Sequence, residues 1–221
     1  MQQTKTDQKQ HYCKLQITKL QHTKDERFMA VNLNKGSSLS LQKADGSALK
    51  LIRLGLGWDA LPKKGLFGRS SGGDVDLDAS AIMFNAAKKE VGIVSFAKLR
   101  SQDGSITHSG DNLTGAGDGD DEQITVDLAR VPADVQSIVF VITSYSSHRF
   151  DGLSNVFARV VDLSNGESEV ARYNLAEKGT NTASVIAKLS REGSGWKVTA
   201  VGAPANGRTA NAVLNEATAV A

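Results

Sequence analysis

The chain has 221 residues, 26 basic and 24 acidic side chains, 40% hydrophobic residues and 5% aromatics. That length allows one large domain or two small ones, the apolar fraction is enough for a core and excludes general disorder, and no stretch approaches the roughly 18 consecutive apolar residues of a membrane helix. A single cysteine, Cys13, excludes an internal disulfide framework and a four-cysteine zinc site, while 21 glycines against three prolines point to many turns.

Residues 1–28 are rich in Gln, Lys and Thr and read as a flexible N-terminal extension. They contribute +3 to a total formal charge of +2, from six basic and three acidic side chains, so the rest of the chain is slightly acidic and carries no nucleic-acid footprint. The segment lacks the apolar run of a secretory signal and the Arg-rich, acid-poor character of a transit peptide, which makes a reducing cytoplasm the default compartment. Met29 opens Met29-Ala30-Val31-Asn32-Leu33-Asn34-Lys35-Gly36, which looks like a protein start. Translation is expected to begin there, and intact mass of the native protein checks it.

Residues 29–221 read as one domain of short strands joined by glycine turns. Ser38–Leu41 and Leu49–Leu56 alternate apolar and polar residues around a turn at Gly46. Val75–Phe84 continues the pattern, with Gly92–Phe96 as its hairpin partner. Later strands are expected at Ile124–Leu128, Val135–Thr143, Phe157–Leu163, Ser168–Leu175, Ala183–Leu189 and Trp196–Val201. Ser137-Ile138-Val139-Phe140-Val141-Ile142 is apolar on both faces and is expected at the centre of a sheet. Asn206–Ala219 is alanine-rich and predicts one terminal helix. The sum is an all-β, two-sheet β-sandwich with a short C-terminal helix.

Two acidic clusters carry the chemistry. In Gly73-Asp74-Val75-Asp76-Leu77-Asp78 the three carboxylates share one face of an extended chain, and Val75 and Leu77 face the core. The run Gly110–Glu122 holds Asp111, Asn112, Asp118, Asp120, Asp121 and Glu122 among flexible glycines, with no cation. A hard divalent ion suits such an all-oxygen set, and a ligand-dense loop favours calcium over magnesium. Zinc and copper lack a His/Cys set, and the spacing is not that of an EF-hand loop. The alternative is an exposed acidic loop that only solubilises the protein.

Asn34-Lys35-Gly36, Leu54-Gly55-Leu56-Gly57-Trp58-Asp59 and Asp76-Leu77-Asp78-Ala79-Ser80-Ala81 resemble the start of a TerD-family tellurium-resistance protein. Asp103-Gly104-Ser105-Ile106-Thr107-His108-Ser109-Gly110-Asp111-Asn112, then Thr114-Gly115 and Gly117-Asp118-Gly119-Asp120-Asp121-Glu122, are the strongest match, with Val131-Pro132 and Glu169–Tyr173 beyond. The likeness runs from about Met29 to about Gly202. It implies a sandwich holding two calcium ions in loops at one acidic end, and a place in a bacterial stress system tied to tellurite resistance and, in relatives, to phage and colicin tolerance. Carried over by position, Asp59, Asp76, Asp78, Asp111, Asn112, Asp118, Asp120, Asp121 and Glu122 are the implied ligands. Asp74 is a further candidate, and the carbonyls of Gly117 and Gly119 are added to the set. Lys63, Lys64 and Arg69, in a variable loop at Leu61–Gly72, are placed to lean over this end.

Other features read as structural. His108, Ser109 and Asp111 are too close in sequence to form a catalytic relay, and His108 is expected at a turn, bonding a carbonyl or a nearby carboxylate. His148 and Arg149 belong to a solvated loop, Trp58 and Trp196 to the core, and Cys13 is a free thiol in the tail. No phosphate-cradling glycine loop is present. The leading function is a non-enzymatic calcium-binding module acting through other stress-complex proteins, membrane-associated ones included, with no nucleic acid and no direct membrane insertion. The alternative is a metal-dependent phosphoesterase-type hydrolase. A structural oligomer subunit is a third reading.

Overall fold

The computed structural model describes residues 30–60, 63–64, 70–71, 75–110, 119–164, 166–175 and 179–221. The 1–28 extension, Met29 and Cys13 lie outside these residues. In chain order the strands are β1 (Val31–Asn32), β2 (Ser38–Ser40), β3 (Leu51–Ala60), β4 (Lys63–Lys64), β5 (Ser70–Ser71), β6 (Asp78–Asn85), β7 (Glu90–Val94), β8 (Ile106–His108), β9 (Glu122–Asp127), β10 (Val135–Thr143), β11 (Leu153–Asp162), β12 (Ser168–Asn174), β13 (Ala183–Glu192) and β14 (Gly195–Ala205). One six-stranded sheet runs β1-β12-β11-β3-β9-β8, a second runs β2-β14-β13-β10-β6-β7, and β4 and β5 form a separate hairpin. All pairings are antiparallel except that of β1 with β12.

Alternation decides which side chains meet between the sheets. Ile52, Leu54, Leu56 and Trp58 of β3, Ile124 and Val126 of β9, and Ala158 and Val160 of β11 turn inward. They meet Ala79, Ala81 and Met83 of β6 and Ile138, Phe140 and Ile142 of β10. Trp58 and Trp196 are buried core anchors, as expected.

The centre of the second sheet is β10, between β13 and β6. Its other face, Val139 and Val141, joins Ile82 and Phe84 of β6 and Ala183 and Val185 of β13 in a second apolar cluster. The C-terminal segment covers that cluster with Ala210, Val213 and Ala217. The single expected helix over 206–219 is in fact a 3-10 turn at Ala210–Val213 followed by α1 (Leu214–Val220). Asn206 is held back from the helix: its side-chain oxygen accepts the Thr182 N–H at 3.2 Å.

Several expected strands shift: β11 begins at Leu153 and not Phe157, β14 runs to Ala205 and not Val201, and β7 spans Glu90–Val94 and not Gly92–Phe96. β6 begins at Asp78, so Val75–Leu77 precedes it as irregular chain, with Val75 and Leu77 buried as predicted. β3 runs on to Ala60 because β11 continues to pair with it up to Leu153.

Candidate functional site: the acidic end of the sandwich

Three chain segments converge where β3 ends and β6 and β9 begin. Trp58 ties them together. Its backbone N–H donates to Asp121 Oδ2 at 2.8 Å, and its indole Nε1–H donates to the Val75 carbonyl at 3.0 Å. The Asp121 N–H in turn donates to the Leu56 carbonyl at 2.8 Å. Across the sandwich, the Ala79 N–H donates to Glu122 Oε2 at 2.6 Å. The chain through 75–79 and the chain through 119–122 therefore lie against each other at one end of the molecule.

The three consecutive acids at this end have different surroundings. Glu122 shares the inward face of β9 with Ile124 and Val126 and is fully buried. Its Oε2 lies 3.3 Å from His108 Nε2, which also contacts the Ala79 carbonyl at 3.1 Å. The Gly110 N–H donates to His108 Nδ1 at 3.0 Å, which fixes Nδ1 as acceptor and leaves Nε2–H to face Ala79 and Glu122. Asp120 folds over the outer face of the first sheet. Its carboxylate, wholly buried, takes two bonds from Arg159: Nε to Oδ1 at 2.6 Å and Nη2 to Oδ2 at 3.1 Å. Gly55 makes room for it, since a Cβ there would overlap the Asp120 carboxylate. The preceding Gly119 adopts φ +115°, a conformation side chains other than hydrogen rarely permit.

Asp121 lies between these two. Burial raises its carboxyl above the usual aspartate range, and repulsion from Asp59, Asp120 and Glu122 adds to this against the Trp58 N–H bond. Asp59, exposed at the end of β3, accepts from Asn155 Nδ2 at 2.5 Å. Asp78 is buried, and it alternates with Ala79, so it occupies the other face of β6 from the one that meets Glu122. Asp76 is half-buried, and its carbonyl accepts the Ser144 hydroxyl at 3.5 Å.

Asp74, Asp111, Asn112, Gly117, Asp118 and Arg69 lie outside the described residues, as do the side chains of Lys63 and Lys64. Among the described residues no three His, Cys, Asp or Glu side chains are arranged to hold a metal. Apart from His108, whose ring nitrogens face Gly110, Ala79 and Glu122, the donors here are carboxylate and carbonyl oxygens, a set that fits a hard cation and not zinc or copper.

Arg159 and Asn155 were not singled out from the sequence. Arg159 sits as an ordinary polar position in an alternating strand, and its partner Asp120 is 39 residues away. Asn155 occupies a bulge between Ser154 and Phe157 with φ 50°, a left-handed conformation that asparagine tolerates. No short-range signal marks either position. His108 ends β8 instead of sitting in a turn, but its carbonyl and carboxylate neighbours are those expected. Ser109 exchanges bonds with Gln123, its Oγ accepting the Gln123 N–H at 3.1 Å. His148 bonds Ser146 in an exposed loop. No helix among the described residues is long and apolar enough to cross a membrane.

Comparison with known proteins follows this geometry. The family model of the TerD domain matches residues 29–215. The tellurium resistance protein TerZ of Serratia marcescens is 44% identical over 181 residues, covering 81% of this chain and 92% of that protein. Stress response protein SCP2 of Bacillus subtilis (strain 168) is 41% identical over 189 residues, covering 80% and 94%. Among solved structures, a homologue of the telluride resistance protein TerD from Streptomyces coelicolor A3(2) superposes with a TM-score of 0.58 at 25% identity, covering 72% of this chain and 92% of that one.

Proposed function

This chain belongs to the TerD domain family, and from that premise we propose that it is a calcium-binding, non-enzymatic module of a cytoplasmic tellurite-resistance and stress-response system, acting through protein partners. The relatives named for tellurium resistance and stress response support the setting. One observation carries the calcium reading: the 75–79 and 119–122 segments meet at one end, through Ala79 on Glu122 and Trp58 on Asp121. The two acidic segments thereby meet at one end, where burial, with repulsion from Asp59, Asp120 and Glu122, disfavours the ionised form of Asp121.

The described acids form no metal cluster by themselves, so the ion would be held by Asp121 and Asp59, with Asp76 and Asp78, only as Asp74, Asp111, Asn112, Asp118 and the Gly117 and Gly119 carbonyls join them. When bound, a divalent cation supplies positive charge to the carboxylates that Arg159 does not reach. The chain's own part is to hold the carboxylates close despite their repulsion, which the Trp58 bonds do from the core side. An ion that binds only the folded form stabilises it by mass action. Isothermal titration of the full chain with Ca²⁺ tests the proposal. Saturable uptake of about two ions is expected, and a trace without heat of binding overturns it.

A further inference from the structure

The run Asp120-Asp121-Glu122 looks uniform in sequence, yet its members face different partners. We propose that Asp120 and Glu122 are positioning residues and not metal ligands: they fasten the 119–122 segment to both sheets and so set Asp121 at the ion. The inference rests on the calcium reading above, and divides the labour within it.

Glu122 takes a backbone bond of β6 beyond the reach of β7. β7 ends at Val94, which pairs with Ala81, so it does not reach Ala79. The Ala79 N–H goes to Glu122 Oε2 and its C=O to His108 Nε2, at 2.6 and 3.1 Å. Both groups belong to the first sheet, so this clasp joins the sheets where the acids begin. Glu122 and His108 side chains are wholly inaccessible to solvent, which makes the bonds strong and their loss expensive. The carboxylate is aimed at a backbone N–H inside the sandwich, away from the face that carries Asp78.

Asp120 fastens the same segment on the opposite side. Its two bonds from Arg159 form a fork-on-carboxylate pair. Arg159 is itself oriented by Glu169, to which Nη1 donates at 3.1 Å. Arg172 completes the set, bonding both Glu169 oxygens at 2.9 and 3.0 Å and lying over the Phe157 ring at 4.2 Å. A carboxylate seated against Gly55 and matched by a guanidinium is already charge-compensated. It has little to offer a cation, and a nearby guanidinium repels one. Asp121, one residue from each anchor, accepts the Trp58 N–H at Oδ2.

Calcium titration and melting in excess chelator, both on the full chain, test this with four variants. Arg159→Met removes a positive charge, so electrostatics alone would tighten Ca²⁺ binding. The positioning role requires the reverse, a weakening of about tenfold, as for groups that orient metal ligands. Glu122→Leu removes the acceptor for Ala79 and is expected to weaken binding by about tenfold and lower the chelated melting temperature. Glu122→Gln keeps a carbonyl oxygen for that N–H and is expected to stay within about threefold of the unaltered protein. Asp121→Asn is expected to lose at least about tenfold in affinity without a lower chelated melting temperature.

Tighter or unchanged binding in Arg159→Met, or a loss in Glu122→Gln as large as in Glu122→Leu, overturns the proposal. If the unaltered protein takes up no Ca²⁺, the calcium reading and the role of Asp121 fall together. The two anchors are then judged by the chelated melts alone. A lower melting temperature in Glu122→Leu and Arg159→Met, spared in Glu122→Gln, upholds the fastening role. Unchanged melts remove it.

Discussion

The outer faces of the two sheets are closed in opposite ways. On the second sheet, Ile82, Phe84, Val139 and Val141 lie under the C-terminal segment, which adds Ala210, Val213 and Ala217. On the first sheet, the outward positions of β3 and β11 are Arg53, Gly55, Gly57, Phe157 and Arg159, and the chain at Gly119–Asp120 lies across them. The apolar closure is non-directional and divides its energy among many contacts. The charged closure rests on a few directed bonds, each of which leaves a buried partner exposed to cost when broken. A face closed by apolar contacts tolerates small changes. A face closed by ion pairs places one carboxylate where it is needed and tolerates little.

The largest expected effect breaks the apolar side. Deleting residues 210–221 uncovers Phe84, Val139 and Val141 and should cost roughly 3 kcal/mol or more, at about 1.5–3 kcal/mol per large apolar side chain re-exposed. Urea unfolding measures this, and binding of a hydrophobic dye should rise with it. On the charged face, Gly57→Ala is next. Its new methyl group would overlap the Phe157 ring and lie 2.8 Å from the Gly119 carbonyl, a crowding expected to cost about 1–3 kcal/mol by the same measurement. Alanine at an open glycine such as Gly152, which has nothing within 4 Å, serves as the control.

Acid separates the two faces further. Burial disfavours the Glu169 carboxylate, but bonds from Arg172 and Arg159 outweigh it and hold its carboxyl below the usual glutamate value of 4.5. A lowered folded-state value means the stabilisation is present above the unfolded value and disappears as pH falls through the folded one. Glu169→Gln should therefore lose less stability than the unaltered protein as pH drops below about 4.5, read from urea midpoints across that range. The smallest effect is expected at Arg53–Glu167, 2.9 Å apart with Glu167 largely exposed. Glu167→Gln should move the urea midpoint least of all these variants, and less still at high salt.

What was legible in the sequence follows the same division. Alternation identified β3, β6, β9 and β10, and apolar residues on both faces of 137–142 placed β10 at the centre of its sheet. That the second face is roofed by the chain's own C-terminus could not be read, because nothing local links Val139 to Val213. β1 and β8, with two and three residues, are too short to show a period. The acidic clusters were evident as composition, and their meeting at one end followed from the resemblance. The separate surroundings of Asp120, Asp121 and Glu122 were not legible. They depend on Arg159, His108 and Ala79, which only pairing between distant strands brings near.

The central claim is that the acidic end of this sandwich is completed by a divalent cation. The most direct measurement is the melting temperature of the full chain in excess chelator and again in Ca²⁺ well above saturation. The account predicts a rise of about 5–10 °C, the shift that mass action gives for a domain of this size at roughly a hundredfold excess over the dissociation constant. Superimposable melting curves in the two conditions would contradict it.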